Sequence, residues 1–121
     1  MPLATTSDAS FAADVLASPT PVLVDFSADW CPPCQEVAPI LEQIAAQEAD
    51  RLRVVSIDVD ENPVTASHFA ISSMPTLTLF IGGLAVAQVR GLTPQAEIMN
   101  ALEPHLPPRS RRGFEAGEDG A

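Results

Sequence analysis

The sequence predicts an α/β fold: a central mixed β-sheet with helices on both faces, in the order βαβαβαββα. Three observations carry this. The run 22–27 is near-continuously apolar, as a strand covered on both faces must be, and the runs 53–59 and 75–81 read as a second and a third strand. Segments with helical signals lie between them. Gly82-Gly83 then separates the third run from residues 84–90, a hairpin signal that makes the last strand antiparallel to the one before it. A chain of 121 residues, 46% hydrophobic, can bury one core of this kind.

Each element has its own reason. Pro2 to Thr5 can form a short edge strand. Ser7 or Asp8 can cap a helix reaching to about Ala17, with Phe11, Val15 and Leu16 on one face. Ser18-Pro19-Thr20-Pro21 ends it in a loop. Residues 22–27 form a buried strand. Val37, Ile40, Leu41, Ile44 and Ala45 mark the apolar face of a helix running to Glu48, with a kink expected at Pro39. After the strand at 53–59, Asn62 is a helix cap and Pro63 a first helical residue, and that short helix ends near Ala70. Thr93-Pro94 opens a last helix that buries Ile98, Met99 and Leu102, and Pro104 ends or kinks it. The domain spans residues 1–106. From Pro107 the composition turns polar and Gly-rich, and residues 107–121 read as a disordered tail.

Charge excludes some functions. The net charge is −10 and the basic residues are six arginines: Arg51, Arg53, Arg90, Arg109, Arg111 and Arg112. Nucleic-acid binding, which rests on neutralising phosphates, is not expected. No segment approaches the ~20 apolar residues of a membrane span. The N-terminus has neither the basic start nor the apolar run of a signal peptide. The expected compartment is the cytoplasm, where a cysteine pair is more often catalytic than structural.

The chemistry is concentrated at Trp30-Cys31-Pro32-Pro33-Cys34. Cys31 and Cys34 are the chain's two cysteines, and they stand at a strand-to-helix junction. Disulfide exchange needs a thiolate nucleophile and a second thiol that resolves the mixed disulfide. Cys31 should lie at the helix N-terminus, where free N–H groups and the dipole favour an anion, and Cys34 should follow one turn later, more buried. A purely structural disulfide and a zinc site are the alternatives. Zinc needs about four ligands, and His68 and His105 are the other candidates, far apart in the chain. Asp25 breaks the apolar pattern of its strand. It is either a carboxylate that reaches water at the strand end or a buried acid with a raised pKa that moves thiol protons.

Together, Val22-Leu23-Val24-Asp25-Phe26, Ala28-Asp29-Trp30-Cys31-Pro32-Pro33-Cys34, Pro39, Asp60-Glu61-Asn62-Pro63, Met74-Pro75-Thr76 and Gly91 resemble the thioredoxin family over roughly residues 2 to 106. The resemblance implies the thioredoxin fold and reduction of protein disulfides by the Cys31–Cys34 couple, with no other cofactor. It also implies a monomer that acts on disulfide-containing proteins and draws electrons from a thioredoxin reductase. It implies a cis Met74–Pro75 bond facing the cysteines and a docking patch made of Trp30, Pro32, Pro33, Met74, Pro75 and Gly91. Trp30 as core filler is the plain alternative.

The chain departs from the family pattern at four positions. Pro32 replaces a glycine, so Pro32 and Pro33 together remove two backbone donors near the helix start, which predicts a less stabilised Cys31 thiolate and a stiffer loop. Ser27 stands where an aromatic is common, loosening one wall of the site. Ser56 stands where a lysine lies near the buried acid, so Asp25 should ionise less readily. Arg90 replaces an apolar residue beside Gly91 and is expected to add positive charge that favours the thiolate or acidic partners. These departures leave three classes open: a general disulfide reductase, a more oxidising exchange enzyme or pathway-dedicated reductase, and a binding module of the same fold.

Overall fold

The computed structural model describes residues 2–109. Five strands form one sheet: β1 (Ala4–Thr5), β2 (Val22–Ser27), β3 (Arg53–Asp58), β4 (Thr76–Ile81) and β5 (Leu84–Arg90). Their spatial order is β1-β3-β2-β4-β5. β3 pairs in parallel with both β1 and β2, whereas β4 is antiparallel to β2 and to β5. The mixed sheet follows from the connections. A parallel β2–β3 pair requires a long crossover, and α1 (Pro32–Gln47) supplies it. The antiparallel β4–β5 pair needs only a tight turn, for which Gly82 and Gly83 take φ of 60° and 83°.

Alternation along the strands divides the core into two layers. Leu23 of β2, Leu77 and Leu79 of β4, and Val54 of β3 pack against Val37, Leu41 and Ile44 of α1 and against Ile98 and Leu102 of α3 (Gln95–Leu102). Val22, Val24 and Phe26 face the other way, toward Phe11, Val15 and Phe80. There the Phe80 ring packs edge-on against both Phe11 and Phe69, with centroids 5.5 and 5.0 Å apart. α1 continues through Pro39 to Gln47.

The capping differs from the expectation in an informative way. The first helical segment, Ala12–Leu16, is a wide π-type turn. Ser7 does accept the Ser10 amide at its entrance, through its hydroxyl at 3.2 Å. Asp8, however, caps a different helix. Its carboxylate accepts from the Val64 and Thr65 amides at 3.1 and 2.8 Å, at the start of α2 (Pro63–His68). Asn62 occupies the N-cap position of α2, but its side-chain oxygen accepts the Asp8 amide at 2.8 Å instead. The cap is therefore shared between two segments that meet only in space.

Arg51 and Glu48 form a buried ion pair at 2.8 Å, their side chains 3% and 5% exposed. Arg51 also holds Glu103 in a two-pronged pair and donates to the Pro107 carbonyl at 3.0 Å. Arg109 adds bonds of 3.0 and 3.1 Å to Glu48. The first residues of the expected tail, 107–109, are thus tied to the body, and residues 110–121 lie outside the described residues.

Candidate active site

β2 runs Asp25 and Ser27 along the α1 side of the sheet, and the turn Ala28-Asp29-Trp30 then delivers Cys31 as the N-cap of α1. Cys31 and Cys34 are joined in a disulfide, their Cα atoms 5.2 Å apart. Pro32 and Pro33 carry no N–H, so the Cys34 amide is the first in the helix able to donate, and it donates to Cys31 Sγ at 3.2 Å. The donor loss expected from the two prolines is therefore partial: one amide still faces Cys31. Together with the helix dipole it favours negative charge on that sulfur after reduction. Cys31 Sγ also lies 3.6 Å from the Met74 carbonyl oxygen.

One expectation fails. Cys34 is not the more buried of the two, because each is 3% exposed. Ala28, Val59 and Met74 pack with the pair, and the two cysteines differ instead in their position on the helix.

Asp25 lies inside β2, between Ser56 of β3 and Leu77 of β4 in register. It is 2% exposed, and its Oδ1 accepts no hydrogen bond from the described residues. It is not an exposed carboxylate at a strand end. Burial pushes its carboxyl up to about 7.

The residues of the expected docking patch are placed as follows. Trp30 is not core filler: it is 65% exposed, and its indole N–H donates to Asp60 Oδ2 at 2.7 Å. The Met74–Pro75 bond is cis. Gly91 takes a φ of +82°, a left-handed conformation that favours glycine, and its amide donates to the Pro75 carbonyl at 2.8 Å. Pro32 is exposed and Pro33 half-buried beside Cys31. Arg90 is exposed opposite Thr76, its guanidinium bonded to Gln88 at 3.1 Å. His68 packs edge-on against Phe69, His105 lies in the final helical turn, and among the described residues no group of three or more His, Cys, Asp or Glu is placed to hold a metal ion.

Two features escaped the sequence reading. Asp60 fixes the Trp30 ring, and a groove of about 570 Å³ lined by Val59, Ala66, Ile71 and Met74 adjoins the disulfide. The signal for the groove was slight: one apolar residue, Ile71, left outside the periodic elements after α2.

The thioredoxin family model matches residues 2–104. The chain belongs to the thioredoxin family. It is 47% identical over 103 residues to Thioredoxin 1 of Synechococcus elongatus, covering 85% of this chain and 96% of that one. It is 50% identical over 101 residues to a thioredoxin of Mycobacterium tuberculosis, covering 84% and 87%. A third relative is the bifunctional thioredoxin reductase/thioredoxin of Mycobacterium leprae, 48% identical over 101 residues, or 84% of this chain and 22% of that longer protein. This thioredoxin-family chain is a thiol–disulfide oxidoreductase, a protein-disulfide reductase with Cys31–Cys34 as its redox-active pair. The relatives lend no support to an isomerase or a non-catalytic binding module.

Proposed function

We propose that Cys31 is the nucleophile, Cys34 the resolving thiol and Asp25 the group that takes the Cys34 proton. The Cys31 thiolate attacks one sulfur of a substrate disulfide, forming a mixed disulfide and releasing the first substrate thiolate, which takes up a proton. Cys34 gives its proton to the Asp25 carboxylate. Its sulfur then attacks Cys31 Sγ, and the second substrate thiolate leaves. The substrate gains two electrons, and the Cys31–Cys34 disulfide forms. The observation that carries this order is the N-cap placement of Cys31, whose sulfur accepts the Cys34 amide.

In this reading Trp30, Pro32, Pro33, Met74, Pro75 and Gly91 form the docking patch, the groove beside Met74 takes an apolar substrate side chain, and Arg90 favours acidic partner segments. The Cβ direction of Gly91 meets nothing within 4 Å, which leaves room for a partner's backbone. Residues 1–106 act as the catalytic domain and 107–121 as an appended tail.

The chain works as a monomer on disulfide-containing proteins, in the cytoplasm, with the cysteine pair as its whole redox equipment. A thioredoxin reductase returns it to the dithiol form. The Mycobacterium leprae relative, whose name joins a reductase and a thioredoxin in one chain, supports that donor. Trapping tests the assignment: Cys34→Ser should accumulate a mixed disulfide with substrate through Cys31, while Cys31→Ser should abolish turnover. Accumulation in Cys31→Ser but not in Cys34→Ser would reverse the roles.

A further inference from the structure

A proton that reaches Asp25 has to leave again. Most of the surroundings of Asp25 are closed to water. Leu23 beside it on β2 and Leu77 across from it on β4 are fully buried, as are Val37 and Leu41 on α1 above. One side differs. Ser27, two residues along β2 on the same face, and Ser56, the registered neighbour of Asp25 on β3, are both half-buried. Both line a cleft of about 480 Å³ that opens to solvent, with Asp29, Asp58 and Glu61 also in its walls. One water occupies ~30 Å³ in the liquid, so the cleft is ample, and an unpartnered buried acceptor next to polar, roomy space is a site for bridging water.

We propose that Ser27 and Ser56 form a polar passage through which water from this cleft reaches Asp25 Oδ1 and carries its proton to solvent. The proposal rests on the reading that Asp25 accepts the Cys34 proton. A water in the passage takes that proton from the Asp25 carboxyl, restoring the carboxylate, and the proton passes to bulk solvent. The path runs in reverse when the disulfide is reduced again. The titratable groups that bear on Asp25 are Cys34 on α1, its partner in the proposed proton transfer, and Asp29, Asp58 and Glu61 in the cleft walls; β4 presents the uncharged Leu77. The negative walls draw the departing proton outward. Ser27 and Ser56 are positioning residues, acting on the chemistry through Asp25.

The test compares wild type, Ser56→Leu, Ser56→Thr and Asp25→Asn in the full chain. The Asp25 carboxyl is titrated by NMR where it is present, and the pH profile of disulfide reduction is followed in parallel. An apolar side chain at 56 should block the passage. The Asp25 midpoint should then rise by on the order of one pH unit, and reduction should slow several-fold above neutral pH. Ser56→Thr, which keeps the hydroxyl, should restore the wild-type profile. A folded Ser56→Leu with wild-type midpoint and profile would overturn the passage if Asp25→Asn alters the profile; an Asp25→Asn that keeps the wild-type profile would overturn the role of Asp25 itself, and the passage with it. A high-resolution crystal structure of the unsubstituted chain tests the passage without any variant. It should hold a water within hydrogen-bonding distance of Asp25 Oδ1 on the Ser27–Ser56 side, and a dry Oδ1 would overturn the proposal.

Discussion

Replacing Asp25 with asparagine should stabilise this protein at neutral and higher pH, and the gain should vanish on acidification. Asp25 is 2% exposed and its carboxyl is raised from an ordinary 3.8 to about 7 by burial. Below the unfolded value, near 3.8, both folded and unfolded chains carry the proton, and the buried group brings no penalty. Between there and about 7 the folded chain holds a proton that the unfolded chain has lost, so stability falls with rising pH. At ~1.36 kcal/mol for each of the roughly three pH units, the charged carboxylate costs about 4 kcal/mol once pH exceeds 7. Water in the Ser27–Ser56 cleft would reduce this, so it is an upper figure. The assay is urea unfolding of the oxidised wild type and Asp25→Asn from pH 4.5 to 8.5. The difference between them isolates Asp25 from other carboxylates, such as Asp8, whose effects fall at lower pH. The two should be close at pH 4.5, and the variant should be ahead by several kcal/mol at pH 8.5. A difference independent of pH would refute the buried, charge-averse Asp25.

The other expected effects are these. Asp8→Ala should fray α2, read as faster hydrogen exchange at the Val64 and Thr65 amides. Burial opposes the Asp8 charge, but bonds from Thr65 and Val64 outweigh it and hold the carboxyl below the ordinary range. In wild type that cap is therefore present above the ordinary carboxylate value and is lost as pH falls through the depressed one. Arg51→Ala should destabilise the fold by about 3 kcal/mol in urea unfolding, because it strips the buried Glu48 of its 2.8 Å partner and frees Glu103. Gly91→Val should lower turnover of protein disulfides more than of small-molecule disulfides, since a β-branched residue at φ +82° strains the segment bonded to the Pro75 carbonyl.

The strand at 22–27 was legible because burial on both faces demands continuous apolar sequence, and those at 53–59 and 75–81 because Val, Ile, Leu and Phe recur in them between turn signals. The cysteine pair and Asp25 stood out as two thiols one turn apart and a carboxylate in an apolar strand, whereas Pro75, at a permitted place in its strand, gained its expected cis bond only through the family resemblance. What stayed hidden depends on distance in the chain. Asp8 caps a helix more than fifty residues away, and Arg51 meets Glu103 and Pro107 across a comparable gap. No periodicity announces such pairs, since a surface carboxylate can cap any helix that packs beside it. Ser27 and Ser56 were each visible as small residues, but only the β2–β3 register brings them together beside Asp25, on the wall of one cleft.

The most direct test of the whole account is the reduction potential of the Cys31–Cys34 couple, read in defined dithiol buffers through the fluorescence of the adjacent Trp30. A protein-disulfide reductase of this family should give a value near the roughly −270 mV known for thioredoxin. A value near roughly −180 mV or above, in the range of an oxidant or isomerase, would contradict the account.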